Sequence, residues 1–489
     1  MKPNILLLMV DQMRGDCLGI GGHPDVKTPY LDSLAVQGDY FLNAYTACPS
    51  CIAARACMMT GLSPAHTGRV GYRDGVDWNY ATTLPGELSK AGYDTKCVGK
   101  MHVHPLRNKL GFHDVTLHDG CLNYYRQADR PFYEQQTMVD DYFYWLKSEL
   151  GVNADITDTG IDQNSWLARP WIYEEKYHPT NWVASETISH LRRRDRSKPF
   201  FLFSSFVRPH PPFDAPSCYF DMYRSMDLKM PVDDNWSGPP YSSVPGDMSD
   251  LRGRTYNGSD GIADPELLRQ ARIGYYACIT HIDHQIGRIL QALKQDGCME
   301  NTIILFTSDH GELLGDHHAY RKTLPYQGSV RIPLIFRIPG GNRGVLHTNL
   351  AGLQDILPTL VELAGGKVDE PIDGISLAPI LGMSPDSVKQ REYLHGEHSG
   401  GQQGNQFIVT ERDKFIWFME SGREQYFDLI RDPEECHDLI HDPDKKARID
   451  QLRSLLIEEL SGREENYTDG HKLIPGQKQR NVLQHSIQN

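Results

Sequence analysis

The segment Cys48-Pro49-Ser50-Cys51-Ile52-Ala53-Ala54-Arg55-Ala56-Cys57-Met58-Met59-Thr60-Gly61 gathers the densest set of reactive side chains in this chain. Ala, Met and Arg favour helix and Gly61 suits its C-terminal cap, so the composition predicts a helix beginning near Cys51. A thiol at a helix N-terminus sits where the dipole favours negative charge and lowers its pKa. Arg55 lies one turn further along the same face. Three chemistries fit this segment alone. Cys48, Cys51 and Cys57 suit a core as small buried residues. Cys48-x-x-Cys51 has the spacing of a dithiol redox pair. Cys51 also suits the role of a catalytic nucleophile or its precursor.

Four short apolar runs deliver polar side chains in the same way. Residues 5–10 lead into Asp11-Gln12, and residues 93–98 into Gly99-Lys100-Met101-His102. Residues 200–206 lead into Arg208-Pro209-His210-Pro211, and residues 302–307 into Ser308-Asp309-His310-Gly311-Glu312. Open α/β sheets bind ligands beyond the carboxyl ends of their strands. One His or Lys after a strand is an ordinary solvated loop residue, but four such ends predict one convergent polar site.

The elements that must position these groups alternate strand and amphipathic helix, the pattern of a sheet covered on both faces. Helices are expected at 28–34, with Pro29 in the first turn, at 83–90, at 267–293 and at 355–363. After Gly365 the texture changes to short strands, such as 415–419 and 425–429, followed by a last helix at about 447–460. This divides the chain into a catalytic α/β domain, 1–365, and a C-terminal α+β subdomain, 366–489. Residues 122–180 are rich in aromatics and acids without a clear period, and read as an insertion covering the site.

The chain has 489 residues, 10% aromatic and 23% charged, ordinary for a folded protein with a large core. Its net charge of −14 argues against nucleic-acid and anionic-membrane partners, though not against a small anionic substrate. The opening apolar run is too short for a secretory signal or a membrane span. Ten cysteines in this length are not a disulfide scaffold. The expected location is cytoplasmic, or periplasmic or secreted if a signal peptide has been removed.

Cys-Ile-Ala-Ala-Arg closing in Thr-Gly resembles the signature of the formylglycine-dependent sulfatases of the alkaline phosphatase superfamily. The family's other blocks follow in order: Asp11, Gly99-Lys100-Met101-His102, Pro209-His210-Pro211 and Thr307-Ser308-Asp309-His310-Gly311-Glu312. Lys322, Arg331-Ile332-Pro333-Leu334, Asp355-Ile356-Leu357-Pro358-Thr359, Asp373-Gly374-Ile375 and Tyr426-Phe427-Asp428-Leu429 complete the set. The resemblance runs from residue 4 to about residue 443 and implies an alkaline-phosphatase-like mixed sheet sandwiched by helices. It further implies that a maturase oxidises Cys51 to formylglycine, whose hydrate is a geminal diol. One hydroxyl attacks the sulfur of a sulfate monoester and displaces the alcohol. Deprotonation of the other then expels sulfate.

A sulfate monoester builds charge on the entering and leaving oxygens, so its site needs cations and a hard divalent metal. Asp11, Gln12, Asp309, His310 and modified Cys51 form the expected metal set. Its oxygen-rich character suits calcium, with magnesium or manganese as alternatives. Arg55 would anchor the diol, and Lys100 and Lys322 would hold sulfate oxygens. His102 is the candidate base, and His210 or Lys322 the acid. Supporting roles around the site are the structural alternative for the two histidines.

Three departures stand out. Gln12 replaces the second Asp of the family's opening pair. Ala53 stands where Pro is common, which implies a radical-type maturase. Gln327 replaces a frequent Glu. The expected substrate is a sulfated carbohydrate or other small organic sulfate, from the aromatics Tyr124, Tyr125, Trp166, Trp171 and Trp182 in and beside the insertion. Tyr177-His178-Pro179-Thr180, Asp316-His317-His318 and Glu397-His398 are unassigned polar groups that could line or support the pocket. A phosphonate monoester or phosphodiester hydrolase of the same superfamily is the nearest alternative, and a thiol-redox protein using Cys48 and Cys51 a more distant one.

Overall fold

A computed structural model describes residues 2–120, 131–232, 234–237, 264–385, 387 and 391–484, apart from the side chain of Tyr133. The strands are β1 Asn4–Asp11, β2 Asp39–Phe41, β3 Ala44–Tyr45, β4 Asp94–Gly99, β5 Asp114–Leu117, β6 Phe200–Pro209 and β7 Thr302–Ser308. They continue as β8 Leu334–Arg337, β9 Val345–His347, β10 Ala351–Gly352, β11 Leu394–His398, β12 Asn405–Val409, β13 Asp413–Phe418 and β14 Glu424–Asp428.

Eight strands form one mixed sheet in the order β5-β4-β6-β1-β7-β8-β2-β9. β1 lies at its centre, parallel to both β6 and β7, while β8 runs antiparallel to β7 and β2. Every residue of β1 is buried, so its run is continuously apolar rather than alternating. Successive side chains still point to opposite faces. Leu6, Leu8 and Val10 pack in one core with residues of the helices Pro29–Val36, Pro179–Arg193 and Pro265–Gln295. Ile5, Leu7 and Met9 pack in the other with residues of the helices Cys51–Thr60, Leu84–Lys90 and Ile356–Leu363.

The expected helix starts have visible causes. Thr83 caps Leu84–Lys90 by accepting from Gly86 N, and Asp264 caps Pro265–Gln295 by accepting from Glu266 N and Leu267 N. Gly61 ends Cys51–Thr60 in the left-handed region at φ 74°.

A separate antiparallel sheet, β11-β12-β13-β14, lies in the C-terminal part. Leu394, Phe407, Val409 and Ile416 pack from it against Tyr45, Tyr326 and Val330. Ile408, Phe415 and Trp417 pack with Ile449, Leu452 and Leu456 of the helix Lys446–Glu459. No described helix is long and apolar enough to cross a membrane.

Within the 122–180 stretch, residues 131–180 are more ordered than their sequence suggests. Tyr124 and Tyr125 lie outside the described residues. The helix Asp141–Leu150 buries Tyr142, Phe143 and Leu146, and Asp140 caps it by accepting from Phe143 N. Trp166, Trp171 and Trp182 belong to the core rather than to a binding surface, with Trp166 stacked on Tyr320 at 4.7 Å. These three tryptophans therefore satisfy packing and give no support of their own to a sugar substrate.

Candidate active site

The four predicted strand ends meet. Asp11 closes β1, Lys100 follows β4, His210 follows β6, and Asp309 and His310 follow β7. At Gly99 the turn after β4 needs a left-handed φ of 97°, and a Cβ there would lie 1.9 Å from the Ser205 carbonyl oxygen. Only glycine allows the chain to pass so close to β6.

One ligand atom each from Asp11, Cys51, Asp309 and His310 fall within 4.8 Å of one another, and all four side chains are buried. Cys51 Sγ lies 3.3 Å from His310 Nε2 and 3.7 Å from Asp11 Oδ1. His310 Nδ1 donates to the Gly311 carbonyl at 3.0 Å, which turns the Nε2 lone pair toward the cluster. Burial raises the Asp309 carboxyl above its usual range, and the neighbouring Asp11 raises it further. Two buried carboxylates sharing a point with an inward imidazole nitrogen fit a divalent cation, which would relieve this like-charge contact.

Cations surround the cluster. Arg55 donates through Nε to Asp309 Oδ2 at 3.0 Å, and through Nη1 to the Lys100 carbonyl and Ser205 Oγ at 2.8 and 2.9 Å. Its Nη2 has no hydrogen-bond partner among the described residues and lies 3.8 Å from Asp11 Oδ2. Lys100 Nζ donates to Asp11 Oδ2 at 2.5 Å. Burial opposes charge on Asp11, but Lys100, with Lys322 and His310, holds it well below the usual carboxylate range. Lys322 Nζ donates to Cys51 Sγ at 3.1 Å and to Gln12 Oε1 at 2.8 Å. Burial and Asp11 push the Cys51 thiol up, yet Lys322, Lys100 and His310 outweigh them and hold it well below a free cysteine.

Gln12 stands at the edge of this set. Its Oε1 is engaged by Lys322, and its Nε2 donates to Glu312. His102 Nε2 lies 3.3 Å from Asp74 Oδ1, while Asp119 accepts from the His102 backbone at 2.8 Å. Burial lowers the basicity of His102, but its hydrogen bonds to Asp74 and Cys51 leave it raised. His210 is held well below ordinary histidine by burial and then by Lys322. Its Nδ1 donates to the Pro211 carbonyl at 2.9 Å. Backbone strain concentrates here: Gln12, His102, Arg321 and Thr323 all adopt positive φ.

A cavity of about 520 Å³ opens beside Cys51, and Lys100, His102, His210 and Lys322 line it. Sequence reasoning missed Tyr72, Asp74, Asp119, Gln163, Asn164, Arg321 and Ser205, which stand singly without a motif. It proposed His398, which does line the cavity. Two other polar groups do not join it. His178 is buried against Asp214, 3.4 Å away, in the ion pair that Arg208 makes. His317 pairs with Asp234 at 2.6 Å, and Asp316 with Arg14 and Arg272, on a separate cavity. Gln327 bonds Lys414 and Tyr45 and has a structural place. Cys48 and Cys51 are free thiols, and burial raises Cys48 well above the usual cysteine value.

A family model described as Sulfatase matches residues 3–366, and one described as N-sulphoglucosamine sulphohydrolase, C-terminal, matches residues 315–462. An arylsulfatase of Clostridium perfringens (strain 13 / Type A) is 50% identical over 480 residues, covering 97% of this chain and 98% of that protein. The crystal structure of a phosphonate monoester hydrolase of Agrobacterium radiobacter superposes with TM-score 0.73 at 27% identity, covering 94% of this chain and 95% of the other. A structure solved with its substrate D-glucosamine-2-N,6-O-disulfate gives TM-score 0.72 at 20% identity, covering 94% and 98% of the two chains, and shares the fold. The much higher identity to the arylsulfatase favours sulfate over phosphonate chemistry. With its buried Asp-Cys-Asp-His cluster and matching signature, the chain belongs to the sulfatase family of the alkaline phosphatase superfamily and is a sulfuric ester hydrolase.

Proposed function

We propose that this enzyme hydrolyses a small organic sulfate monoester, of a sulfated carbohydrate or a similar alcohol, at a formylglycine made from Cys51. The observation that carries this reading is the convergence of Cys51 Sγ with Asp11, His310 and Lys322 within 3.7 Å, at the floor of a cavity. Asp11, Asp309, His310 and residue 51 would hold one cation, with Gln12 contributing if Lys322 releases its carbonyl. The oxygen-rich set favours calcium. Such an ion supplies electrophilic stabilisation of a sulfate group. Hydrated formylglycine would carry a second hydroxyl, whose deprotonation lets the carbon–oxygen bond to sulfate break as the aldehyde re-forms.

The chain's own residues then divide the remaining work. Lys100 and Lys322 hold sulfate oxygens, and Arg55 offsets charge at residue 51 through its unpartnered Nη2. His102, oriented by Asp74, takes the proton from the second hydroxyl. Of the two candidate acids, Lys322 is assigned to protonate the departing alcohol oxygen. Burial, and then Lys322, hold His210 well below ordinary histidine, and its Nδ1 proton is committed to Pro211. A radical-type maturase accepting Ala53 is the proposed source of formylglycine, and a reducing compartment is the proposed location.

Parallel kinetics on 4-nitrophenyl sulfate and an aryl phosphonate monoester test the reading. The expected result is a far higher kcat/KM for the sulfate, abolished by Cys51→Ala and largely spared by Cys48→Ser. A preference for the phosphonate, or equal loss from the two cysteine variants, would overturn it.

A further inference from the structure

His398 ends β11 of the second sheet, yet it lines the same cavity as Cys51. Its side chain is buried, with 4% exposure, and neither ring nitrogen has a hydrogen-bond partner among the described residues. Buried polar groups are nearly always paired, so an orphaned ring at a cavity wall is a group held ready for a ligand. The backbone around it is fixed. Glu397 N donates to the Ala47 carbonyl at 2.8 Å and Ser399 N to the Val70 carbonyl at 2.7 Å. Arg463 forks the Glu397 carboxylate at 2.9 Å on both oxygens. Asn405, the register partner of His398, donates through Nδ2 to the Thr323 carbonyl at 2.9 Å, tying the same strand pair to the loop that carries Lys322.

The ring's chemistry narrows what it accepts. A neutral imidazole offers one N–H donor and one lone-pair acceptor. A hydroxyl pairs with either nitrogen, accepting from the N–H or donating to the lone pair, whereas the sulfate group is already served by Lys100, Lys322 and the cation site. Burial, with His310 and Lys322 nearby, holds the imidazole down to about 4, which keeps it in that donor–acceptor form near neutral pH. Tyr72, Gln163 and Asn164 add neutral hydrogen-bonding groups to the same cavity.

We infer that His398 binds a hydroxyl of the substrate's alcohol moiety beside the ester, which selects polyhydroxylated, sugar-like sulfates over hydroxyl-free ones. This rests on the sulfatase reading of the site and deepens it. A site built to hydrogen-bond a substrate hydroxyl loses discrimination when its own partner is removed.

Calorimetric titration of calcium-supplemented Cys51→Ala protein tests it without turnover. The probes are a panel of monosaccharide 6-sulfates and, as the hydroxyl-free control, 4-nitrophenyl sulfate. The expected result is that His398→Ala weakens the best sugar sulfate at least about ten-fold relative to the control. His398→Asn, which keeps a donor and an acceptor, recovers part of the loss. Unchanged relative affinity, or control binding without any sugar binding, contradicts the inference alone. Binding of neither probe contradicts the sulfatase reading as well.

Discussion

Arg55 Nε donates to Asp309 Oδ2 across 3.0 Å, joining residues 254 apart in the chain. The pair lies in the buried interior, with the Arg55 side chain 1% exposed and the Asp309 side chain inaccessible. Removing one partner of a buried pair leaves the other charge uncompensated, at a cost of about 3–5 kcal/mol. Arg55→Ala should therefore lower the unfolding free energy of chelator-treated protein by that order, seen as a lower urea midpoint, and abolish turnover. An unchanged midpoint would show that the pair does not hold the site together.

Asp74 should act through His102. Its carboxylate hydrogen-bonds His102 Nε2 and accepts from Tyr72 Oη at 2.5 Å. Asp74→Asn removes the charge that supports the imidazolium, so the pKa of His102 should fall. For a base, which works deprotonated, the acidic limb of kcat/KM then moves to lower pH, while kcat drops about 10–100-fold from the weaker base. A profile unchanged in position, with the same loss at every pH, would make Asp74 merely structural.

Gln12 bridges Lys322 and Glu312 at the rim of the carboxylate pair. Gln12→Ala leaves both without that partner, and loss of such an outer contact typically weakens a metal site about 10–100-fold. Titration of chelated enzyme with calcium, read by recovered aryl sulfatase activity, should show this shift with a near-normal plateau. A lowered plateau at unchanged half-saturation would place Gln12 in substrate handling instead.

Glu397 should contribute acid-sensitive stability. Burial works against its charge, but Arg463 outweighs it and leaves the carboxyl below the ordinary value of 4.5. A depressed carboxyl stabilises the fold above its unfolded pKa and loses that contribution as pH falls through the folded one. Glu397→Gln should therefore destabilise by about 3 kcal/mol at pH 7, with the gap to the parent narrowing below about pH 4.5. Urea midpoints across pH 3–7 would show it. A gap constant with pH would remove the charge from the explanation.

Much of this site was legible because its residues follow strands whose apolar runs are unambiguous. Asp11, Lys100, His210, Asp309 and His310 each sit where a buried strand must end, and Arg55 follows from helical spacing. Ser205 and Glu312 lie near such segments, but their partners become visible only once Arg55 and Gln12 are placed. Asp74 and Asp119 occupy loops with no periodicity, so nothing local ties them to His102. The tryptophans misled because an aromatic ring in an acidic stretch suits a core and a sugar platform equally. Trp166, at 0% exposure, shows that packing won. His398 was seen as polar, but its placement depends on β11 meeting Ala47 and Val70, a long-range pairing that no short motif encodes.

Turnover depends above all on the side chain at position 51 being an aldehyde among those carboxylates. Mass spectrometry of the tryptic peptide spanning Cys51, from protein purified out of its native host and treated with a hydrazide, measures this directly. The predicted result is a hydrazone at residue 51, in a fraction that scales with specific sulfatase activity. A fully active preparation carrying an unmodified Cys51 thiol, or a Cys48–Cys51 disulfide, would contradict it.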